Sequence, residues 1–186
     1  MEAIIVSGLP AVGKTTVSRI IADELRLRMF GGGDILKEMA EEHGVKNSGE
    51  DWWDTKEGIR FLEERKKSPK FDEDVDRRLL KKAADGNVVI TSYPLPWLSK
   101  KGIKVWLSGS AESRAKRMAR RDKVSLEECK KVIKVRDGEN YKIYKKLYKI
   151  EFGKDLSPFD LVVGTDNMSA EKVGKEVLRY LKTGKG

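Results

Sequence analysis

One eight-residue run constrains this chain more than any other feature: Gly8-Leu9-Pro10-Ala11-Val12-Gly13-Lys14-Thr15. It matches the phosphate-binding pattern G-x-x-x-x-G-K-[S/T], and it stands between an apolar run at residues 3–7 and a segment of helical periodicity at residues 16–25. The glycines let backbone N–H groups turn inward around a phosphate, and the following helix points the positive end of its dipole at the anion. The motif therefore predicts a strand, a phosphate-binding loop and a helix.

The end of the motif carries the side chains that a nucleoside triphosphate needs. Lys14 is predicted to reach the β- and γ-phosphates as a mobile charge, and the Thr15 hydroxyl to hold Mg²⁺. The residues predicted to bind the triphosphate are Gly8, Leu9, Pro10, Ala11, Val12, Gly13, Lys14, Thr15 and Thr16. A chance match in a chain rich in glycine and lysine is the alternative, and the flanking strand and helix favour the binding site.

Length and composition set the class of protein. The 186 residues suit one domain with a mobile insertion, and 39% hydrophobic with 37% charged residues is typical of a globular chain. No apolar stretch approaches the ~18 residues of a membrane span, and no N-terminal signal pattern is visible, so we expect a cytoplasmic protein. Cys129 is the single cysteine and forms no internal disulfide.

The charge balance favours anionic partners. The formal net charge is +9, and the basic residues concentrate between residues 100 and 154. Nucleotides fit this charge, and nucleic acid is possible, although most of the basic runs are also explained as solvated helix faces.

Strand-like and helical segments alternate along the rest of the chain. Further strands are predicted at residues 28–30, 87–91, 103–107 and 160–164, and helices at residues 34–42, 111–121, 126–148 and 170–181, with a helical pair within about 55–84. This order predicts an α/β fold with a five-stranded parallel sheet covered on both faces by helices. Ligands of such sheets bind at the carboxyl ends of the strands, where the loop of residues 8–15 is expected.

A second glycine-rich run, Gly31-Gly32-Gly33-Asp34-Ile35-Leu36-Lys37, follows the second strand. Asp34 is predicted to be the N-cap of a helix, with Lys37 in its first turn. Three consecutive glycines indicate either a close approach of the backbone to a ligand or a flexible turn.

Together these segments resemble the nucleoside monophosphate kinase family of P-loop kinases. In adenylate kinases the second element resembles G-D-x-L-R, and Lys37 stands at the place of that phosphate-binding arginine. The rest of the chain is similar to archaeal cytidylate kinases in Asp74-Val75-Asp76-Arg77-Arg78, Asn87-Val88-Val89-Ile90, Trp97, Arg114-Ala115-Lys116-Arg117-Met118-Ala119-Arg120-Arg121 and Phe159-Asp160-Leu161-Val162-Val163.

The resemblance implies a P-loop NTPase-type three-layer sandwich of one domain, residues 1–186, with an acceptor-binding insertion at about 34–85 and a lid at about 117–140. It implies that Arg117, Arg121 and Arg136 close from the lid and, with Lys14, neutralise the transferring phosphoryl group. The candidates for binding the acceptor are Asp34, Lys37, Arg77 and Arg78. Asp34 is also a candidate for orienting Mg²⁺ through water. The alternative for Arg77 and Arg78 is that they form ion pairs on the surface.

The chain also departs from the family pattern after the third strand. Cytidylate kinases show glutamate, glycine and arginine there, and this chain has Thr91-Ser92-Tyr93. Tyr141 and Ile143 stand near positions where further lid arginines are expected. Trp52 and Trp53, which are flanked in the sequence by Asp51 and Asp54, are interpreted either as part of the core packing or as a cover over the closing site. His43 is expected to have no catalytic role.

The favoured expectation is a monomeric kinase that uses ATP and Mg²⁺ to phosphorylate a nucleoside monophosphate, with CMP preferred. One alternative is a P-loop kinase of another small acceptor, such as a sugar phosphate or a cofactor precursor. Another is a nucleotide-binding regulatory protein that associates with RNA and has weak ATPase activity.

Overall fold

A parallel sheet carries the fold of the computed structural model, which describes residues 1–42 and 70–184. Its strands are β1 (Ile4–Gly8), β2 (Arg28–Gly31), β3 (Val88–Thr91), β4 (Ile103–Ser108) and β5 (Leu161–Gly164), in the spatial order β2-β3-β1-β4-β5. All neighbouring strands are parallel, for example with Ile5 opposite Ile90 on β3 and Lys104 on β4. The predicted five-stranded parallel sheet is confirmed.

Helices connect the strands. Within the described residues they are α1 (Lys14–Leu25), α2 (Gly32–Glu42), α3 (Lys70–Asp85), α4 (Leu95–Leu98), α5 (Ala111–Asp122), α6 (Leu126–Tyr148) and α7 (Ala170–Thr183). Three of them begin after a serine whose hydroxyl accepts a backbone N–H three residues later: Ser110, Ser125 and Ser169. Local capping of this kind explains why the bounds of α5, α6 and α7 were predictable. Of the helical pair predicted within 55–84, α3 is one member, and the remainder falls outside the described residues.

Both faces of the sheet are covered. On β1, Ile4 and Val6 point into the core that α1 and α7 complete, whereas Ile5 points into the core formed with α2 and α3. This alternation is the two-residue period of a strand. The three-layer α/β prediction is therefore confirmed, and the carboxyl ends of β1 and β3 lie side by side.

The hairpin of α5 and α6 packs on the edge of this sandwich through two separate contacts. Its outer part has a small apolar cluster of Ala115, Met118, Cys129 and Ile133, against which Ala11 of the glycine-rich loop packs. The second half of α6 packs on a larger group, here called the aromatic cluster: Leu9, Tyr93, Trp97, Leu98, Trp106, Tyr144, Tyr148, Ile150, Phe152, Leu156 and Phe159. The aromatic cluster thereby joins α6, β4, the glycine-rich loop and Tyr93, the second residue after β3. No helix in residues 1–42 and 70–184 has the length and apolarity needed to cross a membrane.

Candidate active site

The loop between β1 and α1 has the backbone conformation that its glycines allow. Gly8 has a φ of +150° and Gly13 a φ of +105°. A Cβ added at Gly8 would lie 2.5 Å from the carbonyl oxygen of Leu107, so no larger residue fits there without displacing β4. This close approach of the loop to β4 is what the first glycine of the motif permits.

Lys14 is partly buried at the mouth of the loop. Its Nζ donates to the carbonyl oxygens of Gly8 at 2.8 Å and Leu9 at 3.0 Å, and it lies 4.4 Å from the centre of the Tyr93 ring. Burial, together with the nearby charges of Arg136 and Arg114, lowers the pKa of Lys14 to about 7, against a smaller opposing effect of Asp137. An anionic phosphate at this place would oppose the shift by its charge and favour the protonated lysine.

The start of α1 is open to an anion and to a cation bound with it. Gly13 precedes the helix in a left-handed conformation with no side chain capping the first turn, and that turn contains no acidic residue. Thr15 is exposed beside Lys14. No group of three or more His, Cys, Asp or Glu suited to a metal occurs in residues 1–42 and 70–184. One hydroxyl next to a phosphate site fits Mg²⁺, which keeps several waters and takes most other ligands from the phosphates.

Arg114 ties the hairpin to the loop, a role that the sequence reading did not assign to it. Its side chain is 3% exposed, and it donates to both carboxylate oxygens of Asp137 at 2.9 and 2.7 Å. The same guanidinium donates to the carbonyl oxygens of Pro10 at 3.2 Å and Gly109 at 3.1 Å. A buried arginine needs such a full set of acceptors, so this cluster connects α5, α6 and the phosphate-binding loop as one unit.

Of the predicted lid arginines, two lie near the loop. Arg117 donates to the carbonyl oxygen of Thr165, and its Nη1 is buried without a partner among the described residues. A Cβ added at Gly109 would lie 3.4 Å from that Nη1 and 3.2 Å from Val12, which places Arg117 beside the loop. Arg136 is close enough to Lys14 to lower its pKa.

Arg121, the third predicted lid arginine, faces solvent. Its side chain is 63% exposed, and it donates to the carboxylate of the adjacent Asp122 at 2.6 and 2.8 Å. The sequence spacing predicts a face shared with Arg117, but Arg121 lies in the last turn of α5, where a carboxylate is available next to it. In this structure it does not approach the loop.

A cavity of about 610 Å³, here called the central cavity, begins at Lys14 and Thr15. Its described walls come from α2 (Gly32, Gly33, Leu36), α3 (Asp72, Val75, Asp76, Leu79), the residues around the end of β3 (Thr91, Ser92, Tyr93, Pro94) and α6 (Asn140, Ile143, Tyr144). This arrangement places the phosphate-binding lysine at one end of a compartment and helix side chains at the other. Such a compartment can bring a phosphoryl donor and an acceptor together.

The predicted acceptor-side residues lie elsewhere. Of the described residues that line the central cavity, none is Asp34, Lys37, Arg77 or Arg78. Arg77 and Arg78 both pair with Asp74, and Arg78 also pairs with Glu42 through two bonds of 2.7 Å, which raises its pKa above the ordinary arginine value.

The predicted N-cap role of Asp34 is wrong. Helix α2 begins at Gly32, so Asp34 belongs to its first turn, and its carboxylate accepts the N–H of Gly31 at 2.7 Å. This is the reverse bond of a capping box, in which a first-turn acid reaches back to the residue before the helix.

Two carboxylates of α3, those of Asp72 and Asp76, are among the side chains that line the central cavity. Asp76 is 7% exposed and accepts a hydrogen bond of 2.8 Å from the Tyr148 hydroxyl. Burial and this carboxylate raise the pKa of Tyr148 above its ordinary value. Asp72 stands one turn earlier on the same face of α3. The sequence analysis quoted the motif of residues 74–78, which contains Asp76, and did not select Asp72; the four-residue spacing of the two carboxylates on one helix face is the signal that could have found them.

The remaining sequence candidates divide between the cavity and the surface. Ile143 lines the central cavity, whereas Tyr141 donates to Glu151 on the other side of α6. Several of the basic residues of α5 and α6 pair with carboxylates on the surface, including Lys116 with Glu112 and Lys130 with Glu127, as solvated helix faces do. The positions of His43, Asp51, Trp52, Trp53 and Asp54 fall outside the described residues.

A five-stranded parallel sheet in this order, a glycine-rich loop leading into a helix, and a helical hairpin bearing arginines next to that loop define a P-loop kinase. Residues 3–167 match the model of the cytidylate kinase-like family, and the chain belongs to that family. The predicted membership in the nucleoside monophosphate kinases, and with it the predicted enzyme class, is confirmed.

Curated relatives extend over nearly the whole chain. The chain is 35% identical to the cytidylate kinase of Ignicoccus hospitalis over 183 residues, covering 97% of this chain and 99% of the relative. It is 37% identical to the cytidylate kinase of Pyrococcus horikoshii over 171 residues, covering 91% of this chain and 83% of the relative. The predicted similarity to archaeal cytidylate kinases is thus confirmed, and it does not favour the alternatives of another small acceptor or a regulatory protein. The family implies a nucleotide donor and a small-molecule acceptor.

Solved structures share the fold at low identity. A shikimate kinase from Acinetobacter baumannii in complex with shikimate aligns with a TM-score of 0.60 at 19% identity, over 100% of this chain and 95% of that one. An uncharacterised protein from Eubacterium ventriosum aligns with a TM-score of 0.68 at 14% identity, over 98% of this chain and 99% of that one. These likenesses show the fold alone.

Proposed function

We propose that this protein transfers the γ-phosphoryl group of Mg²⁺-ATP to CMP. The observation that carries the proposal is the central cavity, which has Lys14 and Thr15 at one end and the carboxylates of Asp72 and Asp76 among its walls. That the protein acts as a monomer stays a prediction. The archaeal cytidylate kinases that align with almost the entire chain support CMP as the acceptor.

The donor phosphates would bind to backbone N–H groups within residues 8–16, where every residue except Pro10 carries such a donor. Lys14 would contact the β- and γ-phosphates, leaving its present carbonyl partners. The Thr15 hydroxyl would be the protein ligand of Mg²⁺, which on binding neutralises phosphate charge and orients the γ-phosphoryl group. Asp34 stays a prediction as a carboxylate acting on that ion through water.

Catalysis would depend on position and charge. Phosphoryl transfer requires neutralisation of negative charge on the transferring group, and little covalent chemistry is left to the protein. Lys14 from the loop, Arg117 from α5 and Arg136 from α6 would surround that group. Arg121 stays a prediction, and its pair with Asp122 would have to break before it could reach the phosphates.

The acceptor end supports CMP over UMP on chemical grounds. Cytosine presents an exocyclic amino group where uracil presents a carbonyl oxygen, and carboxylates accept hydrogen bonds from the amino group and repel the oxygen. Asp72 and Asp76 supply such carboxylates to the cavity wall. The assignment of the acceptor phosphate to Lys37 with Arg77 or Arg78 stays a prediction.

The test is phosphoryl transfer by the purified protein with Mg²⁺-ATP and a panel of CMP, dCMP, UMP, AMP and GMP, read as formation of each diphosphate. We expect the kcat/KM for CMP to exceed that for UMP by at least about tenfold, the scale of one well-placed hydrogen bond to a charged group. The Lys14→Met variant serves as the inactive control. If ATP binds and no monophosphate supports turnover above the ATPase background, the acceptor assignment is wrong.

A further inference from the structure

Tyr93 occupies the first position beyond Thr91-Ser92 at the carboxyl end of β3, next to the strand that leads into the phosphate-binding loop. Its backbone is anchored there, because the buried Ser7 hydroxyl donates to its carbonyl oxygen at 2.9 Å. Its ring is packed edge-on to Phe152, with centroids 5.6 Å apart, and tilted against Tyr144 at 6.1 Å. Both its main chain and its ring are therefore restrained.

The face of the ring is turned to the phosphate-binding lysine. The Lys14 Nζ lies 4.4 Å from the ring centre, well within the range of a cation–π contact. Within residues 1–42 and 70–184 its hydrogen bonds go to two carbonyl oxygens of its own loop, and burial lowers its pKa. The Tyr93 ring is thus a side chain in direct contact with the Lys14 ammonium.

The hydroxyl of Tyr93 lies near charged groups of the helical hairpin. Burial raises the pKa of Tyr93, while the nearby Arg136 opposes that rise both as a charge and as a hydrogen-bond donor. Asp137 and Arg114 are the other charged groups that act on this hydroxyl. The Tyr93 ring therefore contacts a cation of the loop, and its hydroxyl lies near a cation of α6.

We propose that Tyr93 is a positioning residue for phosphoryl transfer: its ring places the Lys14 ammonium, and its hydroxyl places the Arg136 guanidinium, on the same phosphoryl group. This inference rests on the proposed function. A carboxylate at this position would bind both cations and compete with the phosphates. A neutral ring and hydroxyl orient the cations and release them readily to a more highly charged ligand.

The two contacts can be removed separately. Tyr93→Phe keeps the ring and deletes the hydroxyl, whereas Tyr93→Leu deletes both. Tyr141→Phe is the matched control for losing a hydrogen-bonded tyrosine hydroxyl on the other side of α6, and Phe159→Leu is the control for losing one ring of the same aromatic cluster. Binding of ATP by calorimetry, kcat and KM for CMP, and the melting temperature are measured for all five proteins.

We expect kcat of Tyr93→Leu to fall about 100-fold, because small displacements of a catalytic group have effects of that size, with ATP binding weakened about fivefold. For Tyr93→Phe we expect a fall in kcat of about fivefold with ATP binding within twofold of wild type. In an Arg136→Ala background, Tyr93→Phe should change kcat by less than about twofold, since the partner of the hydroxyl is already absent. Both controls should keep kcat within about twofold even where their melting temperatures fall.

Nucleotide binding separates failure of this inference from failure of the proposed function, since it needs no acceptor. A wild-type protein that binds ATP and phosphorylates no monophosphate contradicts the proposed function, and the ATP affinity of Tyr93→Leu then decides the role of the ring. If Tyr93→Leu binds ATP as tightly as wild type and is slowed no more than Phe159→Leu, Tyr93 only packs and the inference is overturned. An undiminished effect of Tyr93→Phe in the Arg136→Ala background removes the role of the hydroxyl.

Discussion

On the proposed donor side of the central cavity, Lys14 of the glycine-rich loop lies near the charges of Arg114 and Arg136 from the helical hairpin. On the proposed acceptor side, Asp72 and Asp76 of α3 line the cavity together with Asn140 and Tyr144 of α6. Under the proposed function, the donor side binds phosphates, which all nucleotides share, and the acceptor side presents groups that would distinguish one base from another. Charge neutralisation and specificity would therefore be separated within one compartment.

The largest effect is expected at the donor end. Lys14→Met should lower kcat about 10³-fold for every acceptor alike, because the ammonium stabilises charge that develops in the transition state. Its selectivity between CMP and UMP, measured from residual kcat/KM, should stay within about twofold of wild type. A change of selectivity larger than that would contradict the separation of the two ends.

The next effect concerns the connection between the hairpin and the loop. Arg114→Met leaves Asp137 without its bidentate partner, and we expect the free energy of unfolding to fall by about 3 kcal/mol, as for other disrupted buried pairs. Arg114→Met combined with Asp137→Leu should recover part of this loss, because the uncompensated charge is then removed. Urea unfolding measures both variants.

Lys116→Met is the control on the same helix. Lys116 pairs with Glu112 in solvent, so its loss should leave the melting temperature unchanged within error. Equal destabilisation by Lys116→Met and Arg114→Met would show that burial of the Arg114 pair is not what connects the hairpin to the loop.

A substitution on the proposed acceptor side should change the selectivity between CMP and UMP. Asp76→Asn replaces an acceptor-only carboxylate by an amide that can also donate, so we expect kcat/KM for CMP to fall about tenfold and that for UMP less than threefold. Asp85→Asn, at the exposed end of the same helix, should change neither value. A parallel loss for both monophosphates would mean that Asp76 supports the cavity without reading the base.

A pH dependence is also expected, and it should be confined to the donor end. Burial lowers the pKa of Lys14 to about 7 in the free protein, so above that pH the site is increasingly neutral and ATP must bind together with a proton. The Kd of Mg²⁺-ATP should rise between pH 7 and 9, by at most about tenfold per pH unit, and Lys14→Met should show a flat profile. A flat wild-type profile would mean that Lys14 stays charged in the free site.

The lowered pKa of Lys14 has the opposite effect on the pH dependence of folding: it makes the protein more stable as pH rises. The unfolded chain binds the lysine proton up to its ordinary pKa of 10.5, whereas the folded protein releases it above about pH 7. The unfavourable contribution of Lys14 is therefore complete below pH 7 and diminishes as pH rises from 7 toward 10. In differential scanning calorimetry, the difference in melting temperature between wild type and Lys14→Met should therefore narrow over that pH range.

Local signals explain what could be predicted. The five strands are short apolar runs, and each observed strand begins and ends within one or two residues of the predicted one. The glycine-rich loop was identified because every position of its motif has a requirement that only a few residue types meet. The four-residue helix α4 was not predicted, because a single turn beginning at Leu95 has no periodicity to recognise.

Local sequence signals did not predict which side chains of the proposed acceptor side face the cavity. Arg77 and Arg78 immediately follow Asp76 in the sequence, yet only Asp76 lines the cavity. Neighbouring positions on a helix point about 100° apart, and burial of Val75 and Leu79 selects which of them faces inward. Arg77 and Arg78, which were expected to contact the acceptor, pair in this structure with Asp74 and Glu42, and their contact with the acceptor stays a prediction.

The sequence by itself determined the sheet, the phosphate-binding loop and the presence of a basic hairpin, because each depends on contiguous residues. Only the tertiary structure decided that Arg114 and Asp137 join that hairpin to the loop and that Arg121 faces solvent. It also placed Tyr93 under Lys14, and Asp72 and Asp76 opposite them. The physical reason is that these contacts connect residues far apart in the chain, and their orientation follows from how the apolar faces of α3, α5 and α6 pack.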